Sequence, residues 1–207
     1  MSETEKGKPC KRKAASDMQT KKLRFLFREA KIDGHATDNV ISTTTKLRAI
    51  LYGEWDTLKY NFSHVELWES DENNEFSHTD DFGDTQYDGC CYSSTTRGGA
   101  KGVRRYWANK VLRNPKNWKQ IEVEVPLGLW LYAKRWFQKQ IGKGYDWTGA
   151  VGCVLWQREN PLLWFCSEIC TKMAVMMFLL KCRVFAITPR KLAAKLARKY
   201  GDPKGLE

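Results

Sequence analysis

The segment from Cys166 to Cys182 constrains the fold more than any other, because its apolar residues recur at the spacing of a helix with one buried face. A helix of this kind has to cover its apolar face with another layer of structure. The chain must therefore supply a second layer, and alternating segments elsewhere provide it. The apolar positions of the segment are 166, 169, 170, 173, 177 and 180.

Alternation of apolar and polar residues predicts the strands of that second layer. A strand with one buried face carries an apolar side chain at every second position. Pro126 ends the clearest of these segments. The predicted strands are 23–28, 61–68, 89–94 and 118–125, and the segment 103–111 fits either a strand or a short helix.

Three further helices are predicted. Residues 129–141 have a wide apolar face, and residues 39–52 follow Asp38, which we expect to cap them. A basic helix begins at Thr188-Pro189, an N-cap followed by proline at the first helical position. Strands and helices in this order predict an α+β fold.

Charge divides the chain into basic ends and an acidic middle, with a net charge of +11. The segment 69–88 holds eight carboxylates and no Lys or Arg, which indicates a long loop or an irregular hairpin. We expect a basic disordered leader at 1–22, one domain at 23–182 and a basic C-terminal extension at 183–207. The basic tails would suit a weak anionic partner, either nucleic acid or a membrane surface.

Seven cysteines without regular spacing do not form a disulfide framework. The first 24 residues lack the apolar core of a signal peptide, and the longest apolar run, Ala174–Leu180, is far too short for a transmembrane segment. We therefore expect a cytoplasmic protein with reduced thiols.

Neither a metal nor a cofactor is predicted. Cys90-Cys91, His78 and the pair Cys166/Cys170 do not have the spacing of zinc ligands. The glycine-rich segment 97–102 lacks the strand–loop–helix context and the Lys-Ser/Thr ending of a phosphate-binding loop.

Cys166 is the candidate nucleophile because it stands where the predicted helix begins. Backbone N–H groups and the helix dipole stabilise a thiolate there and can receive an oxyanion. The alternative is a small buried hydrophobic residue. His64 is the candidate base, since it shares a strand face with Glu66, and the alternative is a surface histidine. We expect His35, in a turn, and His78, in the acidic segment, to be solvated.

Three short motifs together resemble a family. The motifs Ser63-His64-Val65-Glu66-Leu67, Tyr145-Asp146-Trp147 and Phe165-Cys166-Ser167-Glu168 resemble, in this order, the circularly permuted papain-like hydrolases. These are YaeF/YiiX-type relatives of the NlpC cell-wall peptidases, encoded by bacteria and their DNA phages. The resemblance covers residues 23–182. It implies an NlpC-type fold in which a small antiparallel sheet or half-barrel packs against the helix that bears the cysteine.

The resemblance also implies roles for site residues. Cys166 would be the nucleophile and His64 the general base, with backbone N–H groups at Cys166 and Ser167 holding the oxyanion. Tyr145 resembles a tyrosine that lines the cleft. The third catalytic residue of the family is often a glutamate on the strand after the histidine strand. The corresponding strand of this chain has no carboxylate, so the residue that orients His64 would be Ser93, Ser94 or Glu66.

These observations predict a thiol hydrolase that cleaves an amide, ester or thioester through an acyl-enzyme. Its substrate would be a peptide, a lipid-acyl group or another acyl compound. Two alternatives stay open, namely a basic binding module without catalysis and a phage virion or assembly component whose Cys/His pair is vestigial.

Overall fold

A computed structural model describes residues 19–30, 36–96, 101–146, 162–184 and 187–206. It shows a mixed fold of helices and mostly antiparallel sheet. Most of the expected leader, most of the glycine-rich segment and Trp147 of the second motif lie outside the described residues.

Ten strands form three sheets in the described part of the chain. The largest sheet has six strands in the order β10-β7-β1-β2-β5-β6, with every neighbouring pair antiparallel. The other two sheets are the antiparallel pair β3-β4 and the parallel pair β8-β9. The strands are β1 (Thr20–Glu29), β2 (Phe62–Glu69), β3 (Ser77–Thr79), β4 (Thr85–Tyr87), β5 (Cys90–Thr95), β6 (Gly102–Trp107), β7 (Trp118–Pro126), β8 (Gly144–Tyr145), β9 (Leu163–Trp164) and β10 (Lys204–Gly205).

Five α-helices accompany the sheets in the residues described. The acidic segment forms the hairpin β3-β4, and the segment 103–111 is both a strand and a short helix. The helices are α1 (Ala36–Leu51), α2 (Ala108–Val111), α3 (Leu127–Gln138), α4 (Cys166–Met176) and α5 (Pro189–Tyr200), and short 3-10 turns lie at Trp55–Thr57 and Pro115–Asn117.

The large sheet separates two apolar cores. Alternation in β1 sends Leu23, Phe25 and Phe27 into the main core, beneath α3, α4 and α5. Leu26 points the other way, into a smaller core with Trp68 and Trp118. The strand predictions from alternation are therefore confirmed, and they explain which face of the sheet the cysteine-bearing helix covers.

Three predicted helices have other boundaries in the structure, and α3 spans Leu127–Gln138 instead of 129–141. The helix predicted to reach Cys182 ends at Met176, because Phe178 adopts a left-handed backbone conformation with φ 58°. Its N–H donates to the carbonyl of Val175 at 3.0 Å and that of Leu179 to Ala174 at 2.9 Å, which together form a Schellman motif. The helix α1 begins at Ala36, two residues before Asp38, so Asp38 is not its cap.

The C-terminal region does not lie apart from the domain. Thr188 caps α5 as predicted, accepting a hydrogen bond from the N–H of Lys191. Leu192 and Leu196 of α5 are buried in the main core, and β10 pairs with β7. At the other end, β1 starts at Thr20, two residues before the expected boundary at 22. Along the described ranges, none of the helices is long and apolar enough to cross a membrane.

Candidate active site

Cys166 is the first residue of α4, as its sequence context predicts. The preceding residue, Phe165, is the N-cap in an extended conformation, and its apolar side chain makes no capping hydrogen bond. The thiol therefore stands beside the first backbone N–H groups of the helix, where the dipole is positive. Only 2% of Cys166 is exposed, so its surroundings have a low dielectric.

His64 and Glu66 lie on one face of β2, two residues apart. The Nε2 atom of His64 is 3.0 Å from Oε1 of Glu66, and both side chains are buried. A carboxylate at this distance fixes the orientation of the ring and stabilises its protonated form. The strand spacing alone creates this contact.

The imidazole of His64 also interacts with the sulfur of Cys166. The ladder between β2 and β5 covers only three pairs and ends at Leu67 and Tyr92. Beyond that point the thiol of Cys170, one turn along α4, contacts the carbonyls of Val65 and Tyr92 at 3.8 and 3.7 Å. The start of α4 therefore lies where the two strands stop pairing.

Burial by itself would lower the pKa of His64, but its partners outweigh burial. The negative charge of the Cys166 thiolate, a hydrogen bond with that sulfur, and the contact with Glu66 together raise the pKa of His64 to about 9. Both partners, the sulfur of Cys166 and the carboxylate of Glu66, thus favour the protonated imidazole.

Arg104 completes the group from β6. Its Nη2 donates to Oε1 of Glu66 at 3.1 Å. Burial would raise the pKa of Glu66, but the hydrogen bond from His64 and the positive charge of Arg104 lower it. Oε2 of Glu66 and Nε of Arg104 are buried without a hydrogen-bond partner. Sequence reasoning missed Arg104, because nothing in Gly102–Trp107 distinguishes it from Arg105.

Ser93 and Ser94, the alternative residues for orienting His64, bond to main-chain carbonyls instead. The hydroxyl of Ser93 donates to Val65 at 2.7 Å, and that of Ser94 donates to Trp164 at 2.6 Å. Both bonds tie β5 to the elements around the thiol. Among Ser93, Ser94 and Glu66, it is Glu66 whose side chain contacts the imidazole of His64.

The two predicted cleft residues have different positions. The hydroxyl of Ser167 is buried and donates to the carbonyl of Ile187 at 2.5 Å, so it anchors α4 to the segment before α5. The backbone N–H of Ser167 nevertheless lies in the first turn of α4. Tyr145 of β8 pairs with Trp164 of β9, and Trp164 lies two residues before Cys166 in the chain.

The other described histidine and two other thiols lie in different environments. His78 is exposed and contacts Asp88 at 2.7 Å, a hydrogen bond that raises the pKa of His78. Burial raises the pKa of Cys91 and of Cys170 well above the usual value, which favours their neutral thiols. Within the described residues, no group of three or more His, Cys, Asp or Glu side chains could hold a metal ion. His35 lies outside them.

Comparisons of this chain with protein-family models, curated proteins and solved structures give no match.

Proposed function

We propose that the protein is a cysteine-dependent acyl hydrolase of the permuted papain-like kind. One observation carries the proposal: His64 contacts the carboxylate of Glu66 at 3.0 Å and also interacts with the sulfur of Cys166, and these two partners raise the pKa of His64 to about 9. A thiolate paired with an imidazolium is the reactive form of a cysteine nucleophile. The order of the histidine strand before the cysteine helix agrees with the permuted arrangement.

Acylation begins with the Cys166 thiolate. Its sulfur attacks the carbonyl carbon of an amide, ester or thioester, and the carbonyl oxygen becomes an oxyanion. Main-chain N–H groups at Cys166 and Ser167 stabilise this oxyanion at the positive end of α4. The imidazolium of His64 then donates its proton to the leaving amine, alcohol or thiol as the bond to carbon breaks.

Deacylation reverses the role of His64. Once the sulfur is acylated, it carries no negative charge, and the largest influence that raises the pKa of His64 is lost. Burial then favours the neutral imidazole, which accepts a proton from the attacking water. The water oxygen bonds to the acyl carbon, the carbon–sulfur bond breaks, and release of the acid restores the thiolate and the imidazolium. Glu66 keeps the ring oriented through both steps. The same residue therefore serves first as an acid and then as a base.

Acylation by an activated ester tests the proposal. The intact protein is incubated with a p-nitrophenyl ester, and the mass of the chain and the release of nitrophenol are followed. We expect a single acyl adduct on the wild-type chain, its absence in Cys166→Ala, and a rate at least about a hundredfold lower in His64→Ala.

Cys182→Ala is the matched control, since Cys182 is a partly exposed thiol beyond the end of α4. It should acylate at the wild-type rate. Circular dichroism verifies that each variant folds. Equal acylation of the Cys166→Ala variant and the wild-type chain would refute the proposal.

A further inference from the structure

The helix α1 turns a large part of its apolar surface outward. Between residues 40 and 51 its buried side chains are Ile41, Thr45, Arg48 and Ala49, whereas Leu47, Ile50 and Leu51 are exposed, Leu51 to 62%. A helix on the surface of a globular domain normally turns its apolar stripe towards the core. The exposed apolar stripe therefore needs an explanation outside the main core.

Arg190 fixes this orientation from inside. It is fully buried, and its guanidinium donates to Thr45 at 3.2 Å, Ser42 at 3.0 Å and Asn61 at 2.6 Å. A buried cation has to keep hydrogen-bond partners, so the polar side of α1 must face Arg190. Rotating α1 to bury its leucines would remove two of these three bonds.

The apolar stripe continues past the end of α1. Tyr52 and Trp55 follow it, and 63% of Trp55 is exposed. Exposed apolar groups of this kind mark interaction sites more often than they mark ordinary surface. We define the outward α1 face as the six exposed residues Val40, Leu47, Ile50, Leu51, Tyr52 and Trp55.

The charges around the outward α1 face are basic. Residues 39–53 contain no Asp or Glu, and Lys46 is exposed among them. The neighbouring helix α5 contacts the Trp55–Thr57 turn and carries five Lys/Arg and no acid. The two acids that flank Trp55 are both paired with α5, in the ion pairs Glu54–Lys191 and Asp56–Arg198.

We propose that the outward α1 face binds an anionic lipid surface, with the helix lying in the plane of the interface. Leucine and isoleucine side chains would enter the acyl boundary, and Tyr52 and Trp55 would lie at the level of the headgroups. Lys46 and, from α5, Lys195 and Lys199 would contact the anionic headgroups, since Arg190 is buried and Lys191 and Arg198 are paired with acids. A second copy of this chain fits less well, since it would bring an equally basic surface against this one.

Co-sedimentation with vesicles tests this assignment on the full chain. The vesicles are phosphatidylcholine alone, or phosphatidylcholine mixed with phosphatidylglycerol. We expect binding to the mixed vesicles that weakens as salt is added. The double substitution Leu51→Ser and Trp55→Ser should weaken it about tenfold or more, because two exposed apolar anchors are lost.

The matched control is the double substitution Leu131→Ser and Tyr132→Ser, which removes an exposed leucine and an exposed aromatic residue from α3. This variant should bind as the wild type does, and so should Cys166→Ala, because the outward α1 face is independent of catalysis. Equal binding of the α1 variant and the wild type would overturn the proposal. So would absence of vesicle binding with an oligomer that the α1 variant dissociates, a result that would assign the face to self-association.

Discussion

Two carboxylates on β2, the buried Glu66 and the partly buried Glu69, have opposite hydrogen-bonding situations. Glu69 points into the main core, where Tyr92, the indole of Trp130 and the ammonium of Lys134 all donate to it. The bonds from Trp130 and Lys134 measure 2.7 and 2.8 Å, and a second bond from Lys134 to Oε2 measures 2.9 Å. Both oxygens of Glu69 are thus satisfied.

Glu66 lies three residues earlier, on the other face of the strand. His64 and Arg104 both contact its Oε1, and Oε2 is buried without a partner. A fully satisfied polar cluster stabilises one packing arrangement, whereas an unsatisfied buried oxygen costs free energy. In the proposed function Glu66 supports the positive charge of His64, whereas the contacts of Glu69 assign it to the fold.

The largest effect that separates the two carboxylates is expected from Glu66→Gln. The amide keeps the size of the side chain but removes the charge that favours the imidazolium. We expect the acylation rate to fall by about 10²- to 10⁴-fold. Stopped-flow release of nitrophenol measures it. A rate within a factor of about three of the wild type would show that Glu66 does not support His64.

Glu69→Gln should have the reverse profile. It removes the charge paired with Lys134 and disturbs a cluster that also includes Tyr92 and Trp130. We expect the free energy of unfolding to fall by about 2 kcal/mol, less than for a fully buried pair because Lys134 is partly exposed. Urea denaturation measures the loss. The folded variant should acylate at nearly the wild-type rate, and a catalytic defect like that of Glu66→Gln would contradict the distinction.

The titration of His64 tests which side chains determine its pKa. In the wild type the imidazolium should lose its proton near pH 9. In Cys166→Ala the thiolate is absent, so burial lowers the pKa of His64 and the ring becomes neutral at a lower pH. NMR of the imidazole carbons follows this directly. Glu69→Gln should titrate like the wild type, and an unchanged His64 pKa in Cys166→Ala would show that the two side chains do not interact.

The smallest effect is expected from Ser93→Ala. The hydroxyl donates to the carbonyl of Val65 and makes no hydrogen bond with His64 in the structure. We expect a loss of about 1 kcal/mol in the free energy of unfolding and an acylation rate within about twofold of the wild type. A large loss of rate together with a lowered His64 pKa would show that Ser93 orients His64.

Local patterns predicted much of this molecule. Alternation located β1, β2, β5 and β7, since the side-chain period of a strand can be read from a few residues. The same rule grouped His64 with Glu66. Cys166 was singled out by the start of a helix, another local feature.

Features that depend on distant partners could not be read in this way. Arg104 contacts Glu66 because β6 pairs with β5 in a register that sets Ser93 opposite Arg104. The basic composition of α5 concealed Leu192 and Leu196, whose burial depends on the sheet beneath them. The end of α4 depends on Phe178, a residue type that rarely adopts a left-handed conformation.

The position of β1 in the sheet has a consequence for how the chain folds. This strand pairs on one side with β2 and on the other with β7, which joins residues 20–28 to residues 118–126. During synthesis one edge of an apolar strand therefore stays unpaired until β7 leaves the ribosome. Contacts so distant in sequence make loop closure costly, so folding should take milliseconds to seconds, with nascent β1 exposed to chaperones and to aggregation in the meantime.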